Sequence, residues 1–181
     1  MGVNRTFALP PPGPLARVMP IALGGLLPVL MAGIIAWAAP AGEVPWRELL
    51  VILLALPVVG ALMALSLHGR RVDLVDARLR VRRWPLPRWF DLSAMNLAQA
   101  RIADIVREPA LRPIINLAGS RMPGLRSGWF VLRDRRRAYV LTTSASRVVE
   151  IALDDGRALL LGVERPEALL QALRDGAAAR R

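Results

Sequence analysis

Leu65-Ser66-Leu67-His68-Gly69-Arg70-Arg71-Val72-Asp73-Leu74-Val75-Asp76-Ala77-Arg78-Leu79-Arg80-Val81-Arg82 changes character partway along. Up to Leu67 it closes a long uncharged apolar run; from Val72 apolar residues alternate with polar ones. An uncharged run suits a helix in lipid, whereas a period of two suits a strand with one buried face. The reading is therefore a membrane α-helical hairpin followed by a mainly-β domain.

Working back from Leu67, two charge-free stretches, Val18 to Ala39 and Leu49 to Leu67, occupy most of the first third of the chain. At a rise of about 1.5 Å per residue, each matches a hydrocarbon core of roughly 30 Å, so both are expected to span as helices. Arg5 and Arg17 precede the first span, Arg70 and Arg71 follow the second, and Glu43, Arg47 and Glu48 leave the connector net negative. Arginine excess marks the cytoplasmic side, so Arg70 and Arg71 act as the topology signal. Both termini and the β-domain are then expected in the cytoplasm of a plasma (inner) membrane protein. The division is a tail at 1–17, an anchor at 18–67, a domain at 68–176 and a basic tail at 177–181.

Other readings of the amino terminus are weaker. Ala36-Trp37-Ala38 fits a signal-peptide cleavage pattern, but the apolar run exceeds the usual length. Met1-Gly2-Val3-Asn4-Arg5-Thr6 matches the myristoylation pattern and Asn4-Arg5-Thr6 the glycosylation pattern; both are short enough to occur by chance. Pro20, Pro28 and Pro57 are tolerated in spans because a neighbouring helix or water satisfies the carbonyls they release. Gly60 and Ala64, four apart, are the candidates for close helix–helix packing, ahead of Gly25 and Val29. No Asp, Glu, Lys or Arg lies inside either span, so the pair reads as an anchor rather than a transport path.

Composition narrows the chemistry. The 25 basic residues are all arginine; Arg5, Arg17 and Arg47 precede His68, leaving 22. Of the 14 acids only Glu43 and Glu48 do, leaving 12, so the domain carries +10. A basic domain beside an anionic membrane face gains roughly 1 kcal/mol per arginine near the surface. There is no cysteine and a single histidine, His68. Disulfides, thiolate metal sites, thiol catalysis and a two-histidine metal site are excluded, and no metal or cofactor is implied.

Working forward from Val72, Asp76-Ala77-Arg78 turns a hairpin whose return strand displays Arg78, Arg80 and Arg82 on one face, with Leu79 and Val81 inward. Pro85 and Pro87 break the chain before an extended segment at Trp89–Leu92. Ser93–Ala98 is expected to form a helical turn, while Arg101–Val106 suits helix and strand alike. From Arg107 to Ser127 no period holds, and Pro109, Pro113, Gly119, Pro123 and Gly124 punctuate it. A long loop is expected there, carrying Arg107, Arg112, Arg121 and Arg126. Strands follow at Trp129–Leu132, Ala138–Thr142 and Val148–Ile151, with turns at 133–137 and 144–146. Asp154-Asp155-Gly156 turns a hairpin onto Ala158–Leu161. Pro166 opens a helix with an apolar face of Leu169, Leu170 and Leu173, and Gly176 is expected to stop it.

Seven or eight strands closed by one C-terminal helix, with the segment Asn116 to Phe130, the alanine-led strand from Ala138, Val148-Val149-Glu150-Ile151 and Pro166-Glu167-Ala168-Leu169-Leu170, resemble bacterial pleckstrin-homology-like (PH-like) domain proteins. Such proteins are often tethered by N-terminal spans. The resemblance covers about Val72 to Leu173 and departs at Arg135, where the family commonly has glycine, so a different turn type is expected. It implies two packed antiparallel sheets plugged by a helix, acting by binding lipids, peptides or sibling subunits. Phosphoinositide recognition is not carried over, because the turn Asp76-Ala77-Arg78 is nearly neutral.

The expected function is a membrane-anchored, non-enzymatic binding or scaffold module. Its contact surfaces are the stripe Arg78, Arg80, Arg82, the turn Arg133, Arg135, Arg136, Arg137, and the long loop. Its partners are anionic membrane lipids, a protein or a second copy of the chain. Nucleic acid is a rival, prompted by the charge and by Trp84, Trp89, Trp129 and Tyr139. An enzyme is another, but Asp104, Glu108, Ser120, Thr142, Thr143 and Ser144 have no motif context.

Overall fold

The computed structural model describes residues 5–39, 46–67, 69–82, 86–122, 124–143 and 147–178. The chain divides into two compact units, Pro14–His68 and a second formed by Met1–Gly13 with Gly69–Arg181. Outside the described residues lie His68, most of the connector, the first four residues of the lipidation motif, Trp84 and Pro85, the 144–146 turn and the last three residues of the basic tail.

The Pro14–His68 unit is helical. Helix α1 (Pro14–Ile21) passes through a π-helical turn at Ala22–Leu26 into α2 (Leu27–Ala38), and α3 is Trp46–Leu67. Two stretches, Pro14–Ala38 and Trp46–Leu65, are long and apolar enough to cross a membrane, with mean hydropathies of 2.2 and 2.5. The first helix starts earlier than the apolar run, because proline suits a first helical position. A proline nitrogen cannot donate, and the π-turn begins two residues after Pro20. There Gly24 meets Gly60 of α3 backbone to backbone: a methyl group on Gly60 would stand 2.6 Å from the Gly24 Cα and 2.7 Å from the Pro20 carbonyl oxygen. Ala64, one turn on, is half-buried. Trp37 and Trp46, at the far ends of α2 and α3, are highly exposed, as interfacial tryptophans are.

The other unit is a β-sandwich. One sheet has the order β1 (Arg5–Ala8), β2 (Arg71–Val75), β3 (Arg78–Arg82), β4 (Arg88–Asp91), all antiparallel. The second comprises β5 (Met95–Asp104), β6 (Pro113–Met122), β7 (Leu125–Leu132), β8 (Arg137–Thr143), β9 (Arg147–Leu153) and β10 (Ala158–Leu161), in the order β5-β9-β10-β8-β7-β6. β10 lies between β9 and β8, antiparallel to the first and parallel to the second. Its unbroken Ala158-Leu159-Leu160-Leu161 is buried on both faces, as a central strand requires.

Val72, Leu74, Leu79 and Val81 of the first sheet share one core with Tyr139, Leu141, Val149, Ile151, Leu159 and Leu161 of the second. Helix α4 (Pro166–Ala178) closes it with Leu169, Ala172 and Leu173. On the opposite face of the second sheet, Phe130, Leu132, Ala138, Val140, Val148 and Leu160 are covered by Ile105 and Leu111 from the β5–β6 connection. Tyr139 is fully buried and meets Phe90 and Trp129 edge-on, at 5.3 and 5.4 Å between ring centroids.

Several expectations are corrected. Residues 95–104 are strand, preceded by a 3-10 turn at Leu92–Ala94, because pairing with β9 overrides the ambiguous local period. The expected loop at 107–127 is a 3-10 turn (Pro109–Leu111), strand β6 and the start of β7. β6 hides there because it is an edge strand exposed on both faces, and register shifts at Pro113/Ile115 and Asn116/Ala118 break any alternation. α4 does not stop at Gly176 but runs to Ala178; at Gly176 an absent side chain admits Leu92 and Leu74. Arg135 takes the left-handed conformation itself, φ 69°, in place of a different turn.

β1 was not legible in advance. Arg5–Ala8 precedes the helical hairpin in sequence yet pairs with β2, which follows it, Thr6 opposite Asp73 and Phe7 opposite Val72. The Glu164 amide donates to the Ala8 carbonyl at 3.0 Å on the other side of the strand.

Candidate binding surfaces

The stripe Arg78, Arg80, Arg82 shares one face of β3, and each member has a neighbour. Arg78 Nε donates to Asp91 Oδ1 at 2.7 Å, Arg82 lies 3.7 Å from Asp73, and Arg80 stacks over Trp89 at 5.0 Å from the ring centroid. Register explains it, since Arg78 faces Asp91 and Arg80 faces Trp89 on β4. Arg71, at the start of β2, stands opposite Arg82, so guanidinium groups still outnumber carboxylates on this face.

The turn from Arg133 to Arg137 splits into two groups. The Leu132 carbonyl accepts from the Arg135 amide at 3.0 Å, and the Arg136 carbonyl from the Leu132 amide at 2.9 Å, which sets Arg136 apart from its neighbours. Arg136 Nε donates to Asp134 at 2.6 Å and its Nη2 to Glu150 Oε1 at 3.1 Å. Glu150 is 7 % exposed, in the middle of β9, and its other oxygen accepts from Arg101 Nε at 2.9 Å. Arg101 in turn donates both terminal nitrogens to Glu108. The Glu108 hydrogen bond raises the Arg101 pKa against the effect of burial. Burial works against Arg136 too, and Asp134 and Glu150 outweigh it. These five residues tie β5, β9, the 133–137 turn and the β5–β6 connection together. Arg133, Arg135 and Arg137 point outward, exposed, with no acidic partner among the described residues.

The arginines of the expected long loop also separate. Arg107 lies 3.8 Å from Asp104, while Arg112, Arg121 and Arg126 have no carboxylate partner among the described residues. Elsewhere arginines pair locally: Arg157 with Asp155, and Arg147 with Glu167 at 2.6 Å. Arg157 also stacks over Trp129 at 4.9 Å. Among the described residues no group of three or more His, Cys, Asp or Glu could hold a metal ion.

A two-sheet sandwich closed by a C-terminal helix is the architecture of a PH-like domain, a class of generally non-catalytic binding modules. The family model for bacterial PH domains matches residues 86–176, half of the chain, and the chain belongs to that family. The match begins just before β4, leaving β1, β2 and β3 outside it. No curated protein and no solved structure matches the chain.

Proposed function

We propose that this protein is a membrane-anchored, non-catalytic PH-like module whose basic domain binds an anionic surface on the cytoplasmic face of its membrane. One observation carries the reading: Arg133, Arg135 and Arg137 are exposed together on one tight turn, while Arg136 is drawn inward to a buried carboxylate. Clustered guanidinium groups without carboxylate partners attract phosphate-bearing surfaces, and the attraction fades within a Debye length. The stripe on β3 contributes less, because Asp91 and Asp73 partly neutralise it.

The test uses the sandwich unit alone, residues 5–13 joined to 69–178, so that β1 is retained. Sedimentation with phosphatidylcholine vesicles containing phosphatidylglycerol should show binding at low salt that is lost at high salt and absent from pure phosphatidylcholine. Reversing Arg133, Arg135 and Arg137 to glutamate should weaken it strongly; unchanged binding would remove the turn from this role. Arg136 is left intact, because replacing it attacks the fold.

A protein partner is the second reading, favoured by β6. It is an edge strand with Ile114, Ile115 and Leu117 exposed, the kind of edge that accepts an added strand. Crosslinking of the intact protein in membranes tests it. Nucleic acid is disfavoured because Tyr139 and Trp129 pack in the core and Trp89 carries Arg80 on its ring.

A further inference from the structure

Arg121 and Arg126 are register partners on adjacent strands, so their side chains leave the same face. Arg71 and Arg82 are paired in the same way, but Arg82 has Asp73 beside it, whereas neither Arg121 nor Arg126 has a carboxylate partner among the described residues. Arg126, Gly128, Phe130 and Leu132 alternate onto the face that Leu111 covers, and the charge of the next residue, Arg112, reaches Arg126. Like charges directly opposite each other destabilise a hairpin unless something neutralises them.

We propose that Arg112, Arg121 and Arg126 form a binding site for a phosphate-ester oxyanion on the β6–β7 hairpin. Two of the three guanidinium groups are held by backbone. Arg112 donates Nε to the Ile105 carbonyl at 3.2 Å and Nη2 to the Val106 carbonyl at 2.7 Å; Arg121 donates Nη1 to the Ile114 carbonyl at 3.2 Å. That last bond joins residues seven apart in one strand, which the two register shifts in β6 make possible by bending it. Each anchored fork keeps donors free, and a planar fork matches phosphate oxygens. Arg126 is half-buried, and its pKa is lowered first by burial and then by the charges of Arg121 and Arg112. A dianion would relieve all of these effects together.

The floor of the site is bare. Gly119 and Gly128 are register partners next along the strands from Arg121 and Arg126, and their backbones touch: a methyl group on Gly128 would stand 2.2 Å from the Ala118 carbonyl oxygen. No side chain rises from that floor, because the two backbones lie too close to admit one. A lipid headgroup is one source of such a phosphate, and a soluble phosphate ester the other.

The site rests on the reading of the domain as a binding module, but not on the Arg133–Arg137 turn. The test is calorimetric titration of the full-length protein, in phosphatidylcholine nanodiscs, with inorganic pyrophosphate against a chloride control of equal ionic strength. Saturable binding should weaken about tenfold or more in R121Q/R126Q, and by less in R126K, which keeps the charge and loses the fork. R121Q/R126Q removes a repulsion, so its melting temperature should not fall. Repeating the titration in discs containing phosphatidylglycerol separates the sources, since weakened pyrophosphate binding means a headgroup occupies the site and equal binding means a soluble ester does. No binding beyond the chloride control, or wild-type affinity in R121Q/R126Q, overturns the proposal. So does equal loss in R133E/R135E/R137E, which would mean diffuse charge alone and leave the binding-module reading standing.

Discussion

Arg136 Nη2 donates to Glu150 Oε1 at 3.1 Å, so one arginine of the most basic turn in the domain works inward while those beside it face solvent. Glu150 is buried and held from two sides, by Arg136 and by Arg101. Removing a partner strands part of a buried carboxylate, a penalty of about 1–3 kcal/mol that the half-exposed arginines keep near the lower end. Arg136→Gln should therefore lower the denaturation midpoint of the sandwich unit, whereas Arg133→Gln should leave it unchanged. Equal effects in urea melts would remove the distinction between the two arginines.

Arg135 has φ 69° and Ala77 φ 61°, conformations that cost an L-residue roughly 1 kcal/mol through contact of Cβ with the backbone. Glycine escapes that contact but gains freedom in the unfolded chain. Arg135→Gly and Ala77→Gly should each stabilise the unit by about 0.5–1 kcal/mol, additively because they lie in separate turns. Urea midpoints check both; a loss at either position would show that the turn is held by something other than its backbone conformation.

Much of the sandwich is legible wherever a strand has one wet face or lies wholly inside. The β2–β3 hairpin, the second half of β7, β8 to β10 and α4 all announce themselves by period, turn chemistry or an apolar run. β6 does not, because both its faces are exposed and its bulges reset the alternation. β1 is too short for a period, and its partner lies beyond the whole helical hairpin. The inward role of Arg136 was hidden for a related reason. Glu150 reads as the polar member of Val148-Val149-Glu150-Ile151, and only β5 and the neighbouring turn reveal that it is buried. Arg112 and Arg121 meet Arg126 through bulges and a covering segment, which spacing along the chain does not encode.

Asp155 accepts from Arg157 through Nε at 2.6 Å and through the backbone amide at 3.0 Å, and these bonds hold its carboxyl below the ordinary 3.8. Glu167 is held below 4.5 by a hydrogen bond from its own backbone amide and by Arg147. A carboxyl with a depressed folded pKa stabilises fully above its unfolded value and loses that contribution as pH falls through the folded one. The melting temperature should accordingly be insensitive to these groups at neutral pH and begin to fall below 4.5. D155N/E167Q should show a shallower fall, and added salt should do the same in the parent because both pairs are exposed. An acid limb as steep in the variant as in the parent would locate the titration elsewhere.

Gly60 and Gly24 touch backbone to backbone, so neither neighbour can swing aside for a side chain. Gly60→Ala should destabilise the helical hairpin by about 1–3 kcal/mol, the usual cost of overpacking. Gly33→Ala is the control, because a methyl group there meets nothing within 4 Å. The comparison is made by detergent titration of the full-length protein, following helicity. Equal tolerance of both would mean that the helices pack elsewhere.

Thr6 and Asp73 are register partners although the apolar hairpin lies between them in sequence. Strands can pair only on one side of a bilayer, so β1 requires the chain to return to the side from which it left, whichever side that is. A cleaved first span would also remove β1 from its sheet. The chain has no cysteine, so single Thr6→Cys and Asp154→Cys variants, both at exposed positions, report sidedness directly with an impermeant maleimide. Both should react from the same side of sealed vesicles, and reaction from opposite sides would rule out the β1–β2 pairing. Phe7→Asp separates pairing from topology. Phe7 packs partly buried against the sandwich core, so the charge should cost about 1–2 kcal/mol of stability. Sidedness should not change, because the substitution lies outside the apolar helices. If Phe7→Asp left the melting temperature untouched while both cysteines still labelled together, the anchor would return the chain to one side without β1 contributing to the fold.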